Sequence, residues 1–145
     1  MLARGRSGVL RLHCFVVMSD ISAQPRAFAV FDGDLDADWA ERYSHAPSLA
    51  VDTEAMGLIH GRDRLCLVQI CDEEDQVACV RIAIGQTEAP RLKSLMEQVS
   101  IEKVFHFARF DVAALATGLG IRVNPIFCTK AVSYTHLTLP TNCVV

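Results

Sequence analysis

The chain has 145 residues, of which 51% are hydrophobic, and this is enough apolar material for the core of one domain. The composition excludes a disordered chain, a collagen-like repeat and a protein built from several domains. The 14 basic and 17 acidic residues give a formal net charge of −3, which excludes a basic tail or surface that binds phosphates by charge alone.

The two ends of the chain differ in character from the rest. Residues 1–17 contain three arginines and no acidic residue, and their apolar run is too short for a signal peptide or a membrane span. We expect them to be upstream sequence before a true start at Met18, with an Arg-rich targeting arm as the alternative. Residues 132–145 match the translation of a transposase-type sequencing adapter in its third frame, through to the stop codon. They are predicted to be a library artefact, which leaves residues 18–131 as a partial domain.

The retained part begins with strands joined by short links. Residues 28–31 form a predicted apolar strand, residues 32–34 a turn, and Asp34 or Asp36 caps a helix that ends before Pro47. Three further strands are predicted at residues 48–53, 64–71 and 76–82, with an acidic hairpin loop between the last two.

The second half alternates helices with strands. Pro90 begins a helix with one apolar stripe, and a second helix at residues 109–119 ends at Gly120. Strands are predicted at residues 103–107 and 125–128. Linked strands followed by alternating helices and strands indicate a mixed α/β sheet.

Four of the six cysteines lie in the retained part. Each stands alone in an apolar strand, without the CxxC spacing of a zinc site or a redox pair. We therefore expect buried free thiols in a reducing cytoplasm at Cys66, Cys71, Cys79 and Cys128.

Three acidic residues are the candidates for chemistry. Asp52 and Glu54 end an apolar strand, and the strand period of two puts both carboxylates on one face, where Mg²⁺ or Mn²⁺ would balance their charge. An exposed pair at a strand end is the alternative. Asp111 begins a helix just after the strand at residues 103–107, although a helix cap or a first-turn partner of the helix dipole would occupy the same position. The two signals together favour a metal site.

Four segments carry a family resemblance: LAVDTEAM at residues 49–56, RLCLVQI at 64–70, KVFHFARFDVAAL at 103–115 and PIFCTK at 125–130. They closely resemble the ribonuclease D group of the DEDD 3′-5′ exonucleases. The resemblance implies a ribonuclease H-like mixed sheet flanked by helices, incomplete here at the C-terminus. It also implies phosphodiester hydrolysis with two Mg²⁺ or Mn²⁺ ions, which Asp52 would bridge and Glu54 and Asp111 would flank.

The same resemblance gives substrate contacts to residues around these carboxylates. Met56 would pack against the terminal base, and His106, Arg109 and Phe110 would line the channel for the 3′ strand. Each has an alternative: core packing for Met56 and Phe110, an ordinary surface charge for Arg109, and a structural hydrogen bond for His106.

A third family motif, Tyr-x-x-x-Asp or His-x-x-x-Asp, is missing from this chain, because no Asp or Glu follows Asp111. Tyr134 and His136 lie in the predicted adapter translation, and position 138 is Thr. With one carboxylate fewer in the metal cage, the chain as written is expected to bind metals poorly and to be inactive.

The expected function is that of a cytoplasmic 3′-5′ exonuclease that acts on RNA with a free 3′ end, such as tRNA precursors or other structured RNA. Neither a membrane nor an obligate protein partner is expected. Two alternatives stay open: a non-catalytic nucleic-acid-binding module on the same fold, and a DNA exonuclease of the proofreading branch.

Overall fold

A computed structural model describes residues 27–59 and 61–131 of the chain. The predicted leader at residues 1–17 and the predicted adapter translation at 132–145 lie outside these residues. In the described part, six strands form one sheet, and the elements in chain order are β1 Ala27–Asp32, α1 Ala37–Ser44, β2 Ser48–Ala55, β3 Leu65–Cys71, β4 Gln76–Arg81, α2 Pro90–Glu97, β5 Glu102–Phe105, α3 Arg109–Leu119 and β6 Ile126–Cys128.

The sheet combines antiparallel and parallel pairs in the order β1-β4-β3-β2-β5-β6. The strands β2, β3 and β4 pair antiparallel, whereas β4 with β1, β2 with β5, and β5 with β6 pair parallel. The predicted mixed α/β sheet is therefore confirmed. Because β2 and β5 run parallel side by side, their carboxyl ends meet at one edge of the sheet, and the loop from β5 into α3 begins there.

Alternate strand residues and the apolar stripes of the helices make the core. Val51 of β2, Val68 and Ile70 of β3, Leu92 of α2 and Leu115 of α3 are fully or almost fully buried. Burial of each such side chain contributes about 1.5–3 kcal/mol relative to leaving it in water. The core therefore fixes how α3 lies on the sheet, and with it the approach of α3 to β2.

Two aspartates in the turn after β1 accept hydrogen bonds from the N-termini of two helices. Asp36 caps α1, since its carboxylate accepts a hydrogen bond from the Trp39 N–H at 2.8 Å. Asp34 instead accepts from the N–H groups of Arg91 at 2.8 Å and Leu92 at 2.9 Å, at the start of α2. Asp36 is thus the cap of α1, whereas Asp34 accepts hydrogen bonds from the first N–H groups of a helix that lies far along the chain.

Lys103 of β5 is a charged residue in the core, with 0% of its surface exposed. Its Nζ donates hydrogen bonds to the carbonyl oxygens of Gln98 at 2.7 Å, Ile101 at 2.6 Å and Asn124 at 2.6 Å. Burial lowers the pKa of Lys103 to about 8. The ammonium group ties the loop before β5 to the loop before β6.

Two sequence predictions are wrong in detail. The strand predicted to reach Phe107 ends at Phe105, because Phe107 has a φ of 62° and turns the chain toward α3. The four cysteines in the described residues were expected to be buried, but only Cys71 is buried. Cys79, for example, alternates with the buried Ala78 and Val80, and so lies on the less covered face of the sheet.

None of the helices in the described ranges has the length and apolar character needed to cross a lipid bilayer.

Candidate active site

The end of β2 presents Asp52 and Glu54 on the same side of the strand. Val51 and Thr53 are buried, whereas Asp52 is half-buried and Glu54 is exposed, as expected for side chains that alternate between two faces. The register with β3 shifts between Glu54 and Ala55, so a bulge follows directly after the acidic pair. Such bulges redirect side chains and are common beside active sites.

Asp111 approaches this strand from the first turn of α3 and is only 4% exposed. Its Oδ1 accepts two hydrogen bonds from Thr53, one from the backbone N–H at 3.0 Å and one from the hydroxyl at 2.7 Å. The N-cap of α3 is Ala108, so the helix-cap alternative for Asp111 is wrong. The helix dipole still favours a negative charge at this position.

The three carboxylates interact electrostatically. Burial, followed by the charge of Asp111, raises the pKa of Asp52 to about 6, and the charge of Glu54 contributes. Burial also raises the pKa of Asp111, while the two hydrogen bonds from Thr53 oppose that rise. A hydrogen bond between the carboxyl groups of Asp52 and Asp111 adds to the shift at Asp52. The site therefore concentrates negative charge that a proton or a cation must balance.

The donor chemistry of this site fits a hard divalent cation, because carboxylate oxygens are the ligands that Mg²⁺ and Mn²⁺ prefer. Within residues 27–59 and 61–131, however, no group of three or more His, Cys, Asp or Glu residues is already arranged to hold a metal ion. The carboxylates are close enough to repel one another but do not form a complete cage. Burial and the charges of Asp111 and Glu54 raise the pKa of Asp52, and a bound cation would offset that repulsion.

The other predicted site residues lie around this edge. His106 and Arg109 are exposed, and Phe110 is half-buried. Met56 is 72% exposed, so core packing is wrong for this residue. His106 Nδ1 is hydrogen-bonded to the Thr129 hydroxyl at 2.9 Å, a contact that joins the loop after β5 to the end of β6 and supports a structural role. The alternatives for Arg109 and Phe110 stay open.

Several residues at the site were not predicted from the sequence. Thr53 could have been noticed as a hydroxyl residue between two acids, on the opposite face of the strand. Four apolar side chains near the carboxyl ends of β2 and β5 are at least half exposed, and we refer to them together as the apolar rim: Met56, Leu58, Ile59 and Phe107. Of these, only Met56 was predicted from the sequence as a substrate contact. The Lys130 ammonium lies 4.0 Å from the centre of the Phe107 ring. The sequence did contain a signal for the apolar rim, namely apolar residues in a loop next to an acidic pair.

Comparison with known proteins identifies relatives of this chain. The sequence profile of the 3′-5′ exonuclease family matches residues 28–142. Its range extends into the segment for which an adapter origin is predicted, and that origin stays a prediction. A Ribonuclease D of Sphingobium indicum is 31% identical over 101 residues, which cover 70% of this chain and 26% of that protein.

Solved structures give the same result. The apo form of a nuclease is 39% identical, with a TM-score of 0.71, and covers 78% of this chain and 53% of its own. Brucella melitensis NrnC bound to pGG is 37% identical, with a TM-score of 0.70 and coverage of 78% and 55%. NrnC with bound Mg²⁺ has a TM-score of 0.69, an identity of 36% and coverage of 78% and 56%.

The chain spans about a quarter of the Ribonuclease D that it matches and about half of the solved nucleases. The family profile covers most of the chain, and the order of strands and helices places the acidic residues of β2 and α3 together. The chain belongs to the 3′-5′ exonuclease family and resembles ribonuclease D within it.

Proposed function

We propose that this chain is the metal-binding half of an exonuclease that shortens RNA from its 3′ end. The observation that carries the proposal is the electrostatic contact among Asp52, Glu54 and Asp111 at the shared carboxyl edge of β2 and β5. Family membership gives the reaction class, and the Ribonuclease D relative supports RNA as the substrate.

The proposed ligands are the three carboxylates, and Asp52, Glu54 and Asp111 would together hold the cations. When bound, Mg²⁺ or Mn²⁺ supplies an activated water and stabilises the leaving 3′ oxygen. Asp52 must lose its proton before it binds a cation, and its raised pKa of about 6 puts that loss near neutral pH. The Mg²⁺ that is bound in the related NrnC structure supports this choice of cation.

The apolar rim supports binding of nucleotide bases. Bases stack on exposed apolar and aromatic side chains without strong sequence preference, which suits an enzyme that removes any nucleotide. The related NrnC binds pGG, so we propose a short single-stranded 3′ end as the segment in contact with the site. Arg109 and Phe110 would line that strand, His106 would position the loop after β5, and tRNA precursors are the proposed larger substrates.

The chain carries no acidic residue after Asp111, so a third family motif would have to be supplied for full activity. We propose that the chain as written has little activity by itself. The free thiols among the described cysteines support a reducing compartment, and we propose the cytoplasm.

The test compares the chain as written with a version in which residues 132–145 are replaced by the genomic continuation. Each is incubated with 5′-labelled single-stranded RNA and with DNA of the same sequence, in Mg²⁺. We expect the extended version to shorten RNA one nucleotide at a time. Asp52→Ala should reduce the rate by more than about 100-fold, since loss of a metal ligand lowers activity more than loss of a residue that orients a ligand. Glu73→Ala, in the exposed hairpin loop, is the matched control and should change nothing.

Each result separates the candidate functions. Equal cleavage by the wild type and Asp52→Ala would refute the assignment of the site. RNA binding without shortening, in the extended version, would favour a non-catalytic binding module. A strong preference for DNA would favour the proofreading branch.

A further inference from the structure

We propose that Thr53 is a positioning residue, which holds the Asp111 carboxylate in the orientation needed for cation binding. This inference rests on the proposed function, because it assumes that Asp111 is a metal ligand. Thr53 itself would contact neither the cation nor the substrate. It would act only through Asp111.

The geometry concentrates two hydrogen bonds on one oxygen. Oδ1 of Asp111 accepts from both the N–H and the hydroxyl of Thr53, at 3.0 Å and 2.7 Å. Both residues are almost completely buried, Thr53 at 5% and Asp111 at 4% exposed, so water does not compete for these bonds. Since Oδ1 is engaged twice, the carboxylate cannot rotate freely, and Oδ2 is the oxygen that we assign to the cation.

Of the two hydrogen-bond donors, the hydroxyl is the one that depends on the residue type at this position. Any residue except proline would provide the N–H, but only serine or threonine adds a second donor at this distance. Threonine is branched at Cβ, which restricts its χ1 angle in a strand and keeps the hydroxyl directed at α3. Hydrogen bonds of this kind, from a second residue to a metal ligand, commonly change metal affinity or activity by about 10–100-fold.

The burial of Thr53 explains why it is a positioning residue and not a ligand. Asp52 and Glu54 lie on one face of β2, whereas Thr53 lies on the buried face with Val51. The strand therefore presents its two acids to the site and uses the residue between them to hold the third acid. One tripeptide would organise all three carboxylates.

The experiment uses the extended version, in which residues 132–145 are replaced by the genomic continuation. It measures Mn²⁺ binding by the electron paramagnetic resonance signal of free Mn²⁺, with no nucleic acid present. Thr53→Val keeps the shape and removes the hydroxyl, and we expect it to raise the Kd for Mn²⁺ by about 10–100-fold. Thr53→Ser keeps the hydroxyl and should stay within about 3-fold of the wild type. Thr117→Val is the matched control, because that hydroxyl donates to the Ala113 carbonyl within α3.

Thermal unfolding of each variant separates positioning from a purely structural role. A structural role would lower the Tm of Thr53→Val but leave the Kd of the folded protein unchanged, and that result would overturn the proposal. Should Thr53→Val fail to fold, Thr53→Ala takes its place in the same comparison. Failure of the extended version without substitutions to bind Mn²⁺ at millimolar concentration would instead overturn the proposed metal site, and this inference with it.

Discussion

Lys103 provides a test of the fold that is independent of the active site. The Lys103 ammonium is buried and bonded to three carbonyl oxygens, and its pKa is lowered from an ordinary value of 10.5 to about 8. In the unfolded chain the same group would titrate near its ordinary value. Between these two pH values the unfolded state binds more protons than the folded state, and the free energy of unfolding therefore rises with pH.

The size of the effect follows from the two pKa values. The difference between 10.5 and 8 corresponds to about 3 kcal/mol, which is the most that deprotonation of Lys103 would add to stability between pH 8 and pH 10.5. Below pH 8 the contribution is constant, because the group is charged in both states. Burial of the Lys103 charge therefore lowers the free energy of unfolding at neutral pH, although the ammonium group satisfies the three carbonyl oxygens.

The assay is urea unfolding at several pH values, for the wild type and for Lys103→Met, which fills similar space without a charge. The difference between the two curves removes the contributions of cysteine and tyrosine titration, which are common to both proteins. We expect this difference to rise in favour of the wild type from pH 8 to pH 10.5. A flat difference would show that the carbonyl oxygens stabilise the ammonium as much as burial opposes it, and a difference that falls with pH would show that they stabilise it more. Either result would refute the reasoning.

Two further predictions concern the start of α2 and the thiol of Cys128. Asp34→Ala removes the acceptor for the first N–H groups of α2 and should lower the free energy of unfolding by about 1–2 kcal/mol. The control is Asp38→Ala, on the exposed side of α1, which should change this free energy by less than about 0.5 kcal/mol. Urea unfolding measures both. Burial raises the pKa of the Cys128 thiol, but hydrogen bonds from four backbone N–H groups outweigh it and lower the pKa overall. Cys128 should therefore react with iodoacetamide faster than Cys66 at pH 7, as measured by peptide mass spectrometry, and equal rates would contradict this.

The elements of the fold were predictable because they depend on local patterns. The period of two in β2 was enough to put Asp52 and Glu54 on one face, and the position of Asp111 at the start of a helix was enough to place it near a sheet edge. These inferences need only the direction of side chains in strands and the order of elements. They would hold for any sequence with the same spacing.

The contacts that give the site its character depend on long-range packing. The bond from Thr53 to Asp111 joins residues 58 positions apart, and it exists only because α3 packs on β2. The burial of Lys103 is equally non-local, since a lysine is usually exposed unless its charge finds partners. No pattern in the sequence shows that three carbonyl oxygens from two loops will converge on its ammonium group.

The pairing between β2 and β5 is short. The two strands are in register only from Ser48 to Ala50, and beyond that point the N–H of Thr53 has a carboxylate of Asp111 as its acceptor instead of a strand carbonyl. One side chain therefore completes the backbone ladder as well as carrying charge. Replacing Asp111 by alanine would fray the strand that holds the other two acids, so a loss of activity would be ambiguous. Asparagine keeps an acceptor for Thr53 and removes the charge, which makes Asp111→Asn the substitution that separates architecture from catalysis.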